Sequence, residues 1–244
     1  MAEAGLEPVS TDRPGIYGYR HDVGIHQIDR TTIDLIVPEA YAGAGRRAAR
    51  ITGQKNAATK ARGIELALYD RSLMTLRPLP GDPDQESIEV MVAGSSALLV
   101  AKAYKVRDRI RDYDSRPHRL RAKDSVDIGL LMLASDPTKV AATMHQICLE
   151  HPELAGMDAV AAEVIVSEYL HDQSKLVRHQ MLDGIARRIG PSATDAIDTW
   201  LHSFRAERDR LTGESYIERG RQRQTLDTRP VNEILGYDEN GLPS

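Results

Sequence analysis

Aromatic residues are scarce in this chain, with one Phe and one Trp among 244 residues and an aromatic share of 5%. A core built from it must be mostly aliphatic. Cysteine is scarcer still: Cys148 stands alone, which excludes an intramolecular disulfide framework and a Cys-rich zinc site. No apolar run approaches the ~18 residues of a membrane span, and the N-terminus lacks a leader pattern. The expectation is a cytoplasmic protein with no membrane partner. A net charge of −4 excludes a globally basic protein that coats nucleic acid. What is present is ordinary globular composition, 41% hydrophobic and 28% charged. A chain this long can bury roughly 70–75% of its unfolded surface and needs no metal to fold.

The first half reads as strands. Thr31-Thr-Ile-Asp-Leu-Ile-Val37 is rich in β-branched residues and closed by Pro38, which predicts a strand. Residues 41–62 hold Gly43, Gly45 and Gly53 without periodicity and read as a long loop. Further strands are expected over Gly63–Tyr69, Leu73–Leu79 and Ser87–Val92. After Gly94 the apolar period changes to about 3.6, predicting a helix through Arg109 capped by Ser95 or Ser96. Helices follow over Lys123–Ala134, Pro137–Glu150, Ala155–Leu170, Lys175–Ile189 and Ser192–Leu211. Beyond Gly213 the chain turns polar and reads as a mobile tail. The predicted class is α+β, with a sheet part over 1–93, a helical part over 94–212 and a tail over 213–244.

The mild net charge conceals two basic segments. Residues 42–72 carry seven Lys/Arg against two acidic residues, and residues 101–123 carry nine against three. Local charge of +5 and +6 fits a phosphate-rich ligand, either nucleoside triphosphate or RNA. Arg46, Arg47, Arg50, Arg107 and Arg109 are the candidate RNA contacts. For Arg107, Arg109 and Arg111 a solvated helix face beside Asp108 and Asp112 is the competing reading. Lys102 differs, because it interrupts the apolar stretch Ala97-Leu-Leu-Val-Ala-Lys-Ala-Tyr104 and so either snorkels or points into a site.

Asp124 and Asp127 are three apart and share a face near a helix start, where the dipole favours carboxylates. Asp124 could alternatively be a plain cap. Asp124 follows Lys102 by 22 residues and Asp127 follows Lys105 by the same interval, so antiparallel helices can join ammonium to carboxylate. Spacing does not select which pairs form. Asp34 breaks the apolar run Ile33-Asp-Leu-Ile36, and carboxylates so placed hold Mg²⁺ in phosphoryl transfer. An edge-strand Asp facing solvent is the alternative.

Three segments together resemble the AbiEii/AbiGii (MenT-type) nucleotidyltransferase toxins: Thr32-Ile-Asp-Leu-Ile-Val-Pro38, Ala97-Leu-Leu-Val-Ala-Lys-Ala-Tyr-Lys-Val-Arg-Asp-Arg109 and Arg121-Ala-Lys-Asp-Ser-Val-Asp-Ile-Gly129. The likeness covers roughly residues 1–135, and its most specific part is the ordered pair of lysine helix and Lys-Asp-x-x-Asp helix. It implies a polymerase-β-like mixed sheet followed by a helical bundle. It also implies a toxin that transfers nucleotides from NTP to the 3′ end of tRNA and is restrained by an antitoxin. By resemblance Lys102 contacts triphosphate with Lys105 and Lys123 beside it, Asp124 completes the catalytic site, and Asp34 is the strand carboxylate that binds Mg²⁺.

The same resemblance implies an apolar Gly-Ser turn followed about 9–13 residues later by Asp-x-Asp on a strand, to hold triphosphate and metal. No such segment precedes Asp34. Gly94-Ser95 is followed by Asp112-Tyr-Asp114, but 16 residues intervene and a helix stands where a strand is required. The expectation is a member lacking that segment and impaired in catalysis, or a non-catalytic remnant that binds RNA, nucleotide or an antitoxin. Elsewhere, His145, His151, His171, His179 and His202 lack metal-ligand spacing, Cys148 reads as inert packing, and Trp200 with Phe204 forms a core pair.

Overall fold

A computed structural model describes residues 7–9, 14–22, 28–43, 48–49, 56–78, 86–171 and 175–222. Within them the protein is mixed α+β, with small sheets followed by six α-helices. β1 (Glu7–Pro8), β2 (Ile16–Asp22) and β3 (Ile28–Asp34) form an antiparallel sheet in chain order, with Ile16 opposite Asp34. β4 (Ile36–Pro38) runs parallel to β5 (Thr59–Ala61). The strand expected over Thr31–Val37 is therefore two strands. The break falls at Leu35, whose N–H donates to the Gly15 carbonyl while its own carbonyl accepts from Thr59 N–H. Gly15 has φ +79, and a Cβ there would lie 2.5 Å from the Leu35 oxygen. Only glycine lets the two ladders meet so closely. β5 also corrects the expectation of an unbroken loop over 41–62. A small apolar cluster of Ala42, Ala49 and Ala58 packs with Leu35 and Val37 behind it.

Gly63–Tyr69, expected as a strand, contains a 3₁₀ turn over Glu65–Leu68 instead. Gly63 has φ +91, and its Glu65 neighbour folds back so that Oε2 accepts the Gly63 N–H at 2.7 Å. The turn points Leu66 inward, where it is fully buried. β6 (Arg71–Leu76) and β7 (Ile88–Ala93) then pair antiparallel, Leu73 opposite Met91.

α1 (Ser95–Arg111) begins at Gly94, and neither serine caps it. Asp70 does so from a distance, Oδ2 accepting the Ala97 N–H at 2.8 Å. The correction has a simple cause: the carboxylate of the residue before β6 already occupies the helix mouth, with the Gly94 N–H held by the Asp70 carbonyl. α2 (Ala122–Leu133), α3 (Pro137–Glu150) and α4 (Met157–Val166) follow, α3 with Asp136 accepting the Thr138 and Lys139 N–H groups. The helix expected over Ala155–Leu170 is shorter: it opens at Gly156, φ +81, and widens into a π-turn at Ser167–His171. α5 (Leu176–Arg188) and α6 (Ser192–Gln222) complete the described elements.

The helical core is mostly aliphatic, as the composition requires: Leu99, Ile128, Met132, Met144, Ile165, Met181, Ile185 and Ile197 are fully buried. Trp200 and Phe204 stack with centroids 5.0 Å apart, and Trp200 Nε1 donates to the Ser135 carbonyl at 3.0 Å. The chain divides into two compact units, Met1–Arg208 and Asp209–Ser244. α6 continues past its expected end at Leu211, supported by an Arg210–Glu214 pair at 2.8 Å with i,i+4 spacing.

Candidate functional site

The charged motif residues meet where α1 packs against α2. Lys102 Nζ lies 2.6 Å from Asp127 Oδ2, and Lys105 Nζ lies 2.8 Å from Asp124 Oδ1. Those are the crossed pairs of an antiparallel arrangement: three residues forward on one helix is three residues back on the other. Asp124 is not a cap, since Arg121 holds that position without a side-chain bond. Its carboxylate, 6% exposed, also pairs with Arg109. Asp124 is thus a buried anion held between two cations. Burial, then the neighbouring Arg109 and Lys102 charges, draws the Lys105 pKa down to about 8. Burial, with Arg119 and Arg121 beside it, likewise lowers that of Arg109.

The other candidates are placed differently. Arg107 turns inward, its guanidinium 4.4 Å over the Tyr104 ring, and its Nε is buried without a hydrogen bond while Asp108 Oδ1 lies 3.8 Å away. Lys123 is exposed, as are Arg111, Arg116 and Arg121. None of these four has a carboxylate partner among the described residues. Arg119 is tied to Asp112. Of the segment's expected contacts Arg107 and Arg109 face inward and Lys123 outward, and Arg111, Arg116 and Arg121 are further exposed cations without a carboxylate partner among the described residues. Arg111 ends α1, Arg116 and Arg121 flank the turn Pro117–Arg119 that joins α1 to α2, and Lys123 lies in the first turn of α2. Arg46, Arg47 and Arg50 lie outside the described residues.

Asp34 ends β3 and is exposed. Among the described residues no three His, Cys, Asp or Glu side chains come together as a metal site. Both Asp124 oxygens already face a cation, Oδ1 that of Lys105 and Oδ2 that of Arg109. The described residues therefore do not fit a two-metal centre.

A second feature escaped the sequence. A cleft of about 630 Å³ opens between Glu39, Arg62 and Glu65, Tyr104 of α1, and the segment from Glu153 to Val160 that leads into α4. Beside it, the Glu153 Oε1 accepts from the Tyr41 and Tyr69 hydroxyls at 3.3 and 3.2 Å, and Tyr69 stacks on His151. The hydrogen bond with Tyr41, then burial and Glu153, pushes the Tyr69 pKa up to about 12. Four separated segments build this cleft, so no motif announces it.

Cys148 is buried, as expected of inert packing, and burial with the Asp158 charge raises its pKa to about 11. Asp158 in turn accepts from Arg208 at 2.7 Å, with His145 Nδ1 at 3.3 Å. Among the described residues no helix is long and apolar enough to cross a membrane. No family model, curated protein or solved structure matches the chain.

Proposed function

We propose that this chain is a cytoplasmic, nucleotidyltransferase-like protein of the AbiEii/AbiGii toxin kind, whose α1–α2 unit faces NTP and RNA. The observation that carries the reading is the pairing in the two motif helices. Lys102 with Asp127, and Lys105 and Arg109 with Asp124, join the segments on which the resemblance rests. That clasp fixes the turn between the helices and leaves Arg111, Arg116, Arg121 and Lys123 facing outward. Exposed cations on a rigid support suit a phosphate backbone, because binding releases counterions without ordering the protein. In a family setting the acceptor is a tRNA 3′ end and the restraint is an antitoxin.

A second reading is binding without transfer. The engaged carboxylate of Asp124 favours it, since a catalytic acid or metal ligand needs a free oxygen. One experiment separates the two: the purified chain is incubated with each labelled NTP, Mg²⁺ and total tRNA, and binding of tRNA is measured in parallel by filter retention. Label transfer lost in Lys102→Ala supports the transferase. Retention without transfer supports the binding reading, and neither transfer nor retention at low salt rejects both.

A further inference from the structure

We propose that β6 is a docking edge for a second copy of this chain: two β6 strands pair antiparallel about a two-fold axis and join the two hairpins into one four-stranded sheet. Among the described strands β6 and β7 pair only with each other. A lone two-stranded ribbon is marginal in water and gains independent stability from further strands or a covering element. This one is apolar on both faces, and Leu73, Met74, Leu76, Ile88 and Met91 are each 45–60% exposed. Every residue of β6 is exposed, whereas Val90, Val92 and Ala93 of β7 are half-buried, which makes β6 the open side.

The register of the hairpin fixes which backbone groups face outward. One step before the Arg71–Ala93 pair, the Asp70 carbonyl accepts the Gly94 N–H at 2.8 Å. Hydrogen-bonded pairs alternate along an antiparallel ladder, so Ser72, Met74 and Leu76 turn their backbone groups to β7. Leu73 and Thr75 turn theirs away, and no backbone hydrogen bond meets them among the described residues. The Arg71 carbonyl faces outward with them, while its N–H is taken by the Tyr69 carbonyl at 3.1 Å. A second β6 with Leu73 opposite Leu73 answers these groups. The two Leu73 residues exchange a reciprocal pair of bonds, and each Thr75 N–H donates to the facing Arg71 carbonyl.

The side chains are self-complementary in that same register. Leu73 stands opposite Met91 within each hairpin, so Met91, Leu73 and their copies line up as one apolar row across four strands. Arg71 and Glu89 are the only charges on the two strands. Arg71 faces Thr75 of the second copy, and beyond it lies that copy's Glu89, since Thr75 stands opposite Glu89. Opposite signs approach, and no like charges face each other. The five exposed apolar side chains offer on the order of 500 Å², more than half of the about 800 Å² each partner buries in a stable interface. β6 also lacks the features that keep edges apart: it holds no Lys or Pro and pairs without a bulge from Arg71 to Leu76.

The test is sedimentation equilibrium of the full chain over a rising concentration series. Mass is expected to climb from that of the 27.0 kDa chain to twice that value and no further, because a two-fold contact uses both β6 edges. Leu73→Lys sets two ammonium groups against each other and should weaken association at least about tenfold. Thr75→Pro removes only an outward N–H and leaves the β6–β7 ladder whole. It should weaken association as well, and serves if Leu73→Lys does not fold. Facing Leu73 residues would have Cα atoms about 5.5 Å apart, within the span of a disulfide. Oxidised Leu73→Cys should therefore give a covalent dimer, and Glu89→Cys, on the far strand, should not. A monomer at every concentration, growth beyond a dimer, association unchanged in the folded variants, or cross-linking of Glu89→Cys as readily as Leu73→Cys would each overturn the proposal.

Discussion

Asp124 and Asp127 are the same residue type, three positions apart, each facing a lysine, yet their surroundings give them different weights. The Asp124 carboxylate is 6% exposed and answers both Lys105 and Arg109, the latter itself only 17% exposed. The Lys102–Asp127 pair is about one-quarter exposed on each side. Removing one member of a buried pair strands the others, at about 3–5 kcal/mol, whereas a solvent-screened pair is worth about 1 kcal/mol or less. Lys105 is half exposed and can rehydrate, which puts Asp124 near the lower figure. Asp124→Asn is therefore expected to cost about 3 kcal/mol and Asp127→Asn about 1 kcal/mol. Urea unfolding of the two variants checks the ordering, and equal losses would show that Asp124 does not hold two cations.

Among the elements, the tightest approach is between α2 and α5, where each helix offers a glycine to the other. A Cβ on Gly184 would meet Val126 Cγ2 at 2.2 Å, and one on Gly129 would meet Met181 Cγ at 2.8 Å. Val126 is β-branched and cannot rotate away inside a helix, so Gly184→Ala must push the helices apart. Overpacking of this kind costs about 1–3 kcal/mol, offset in part by the better helix propensity of alanine. The expected result is a lower melting temperature for Gly184→Ala and recovery in Gly184→Ala with Val126→Ala. A melting temperature unchanged in the single variant would mean that the contact yields without strain. The same contrast explains what could be read from sequence. Helices with a sustained apolar period, such as α1 and α3, were legible because their signal is internal to the segment. The strand over Thr31–Val37 was not, because its division depends on Gly15 and Thr59, distant partners that claim Leu35 from both sides. The Glu65–Leu68 turn was missed for a similar reason: a run of apolar residues fits a strand until Gly63 is seen pressed against Tyr104. At the site, the interval of 22 residues revealed that α1 and α2 exchange charges but not which pairs form, since that follows from helix register. Arg107 and Arg109 were legible as charges and not as inward-facing ones, which only the packing of α1 decides.

For the whole molecule, a net charge of −4 opposes any polyanion, so the proposed RNA binding requires a local surface and predicts sensitivity to salt. The nine cations of residues 101–123 overstate that surface. Lys102, Lys105, Arg109 and Arg119 are paired with aspartates, and Arg107 lies against Tyr104. What remains is Arg111, Arg116, Arg121 and Lys123. Each phosphate neutralised contributes about −0.7 to −0.9 to the slope of log affinity against log salt concentration. Four outward cations thus predict a slope of about −3 to −4 for tRNA, well short of what the full basic segment would give. Replacing all four by alanine should flatten the dependence almost to zero without changing the far-ultraviolet circular dichroism. These side chains are exposed and hold nothing together, so stability should also be retained. The paired cations behave oppositely: Lys102→Ala should disturb the α1–α2 clasp while leaving the slope nearly unchanged. A slope that stays steep in the fourfold variant would move the RNA surface to the other basic segment, residues 42–72, and detach it from the two motif helices.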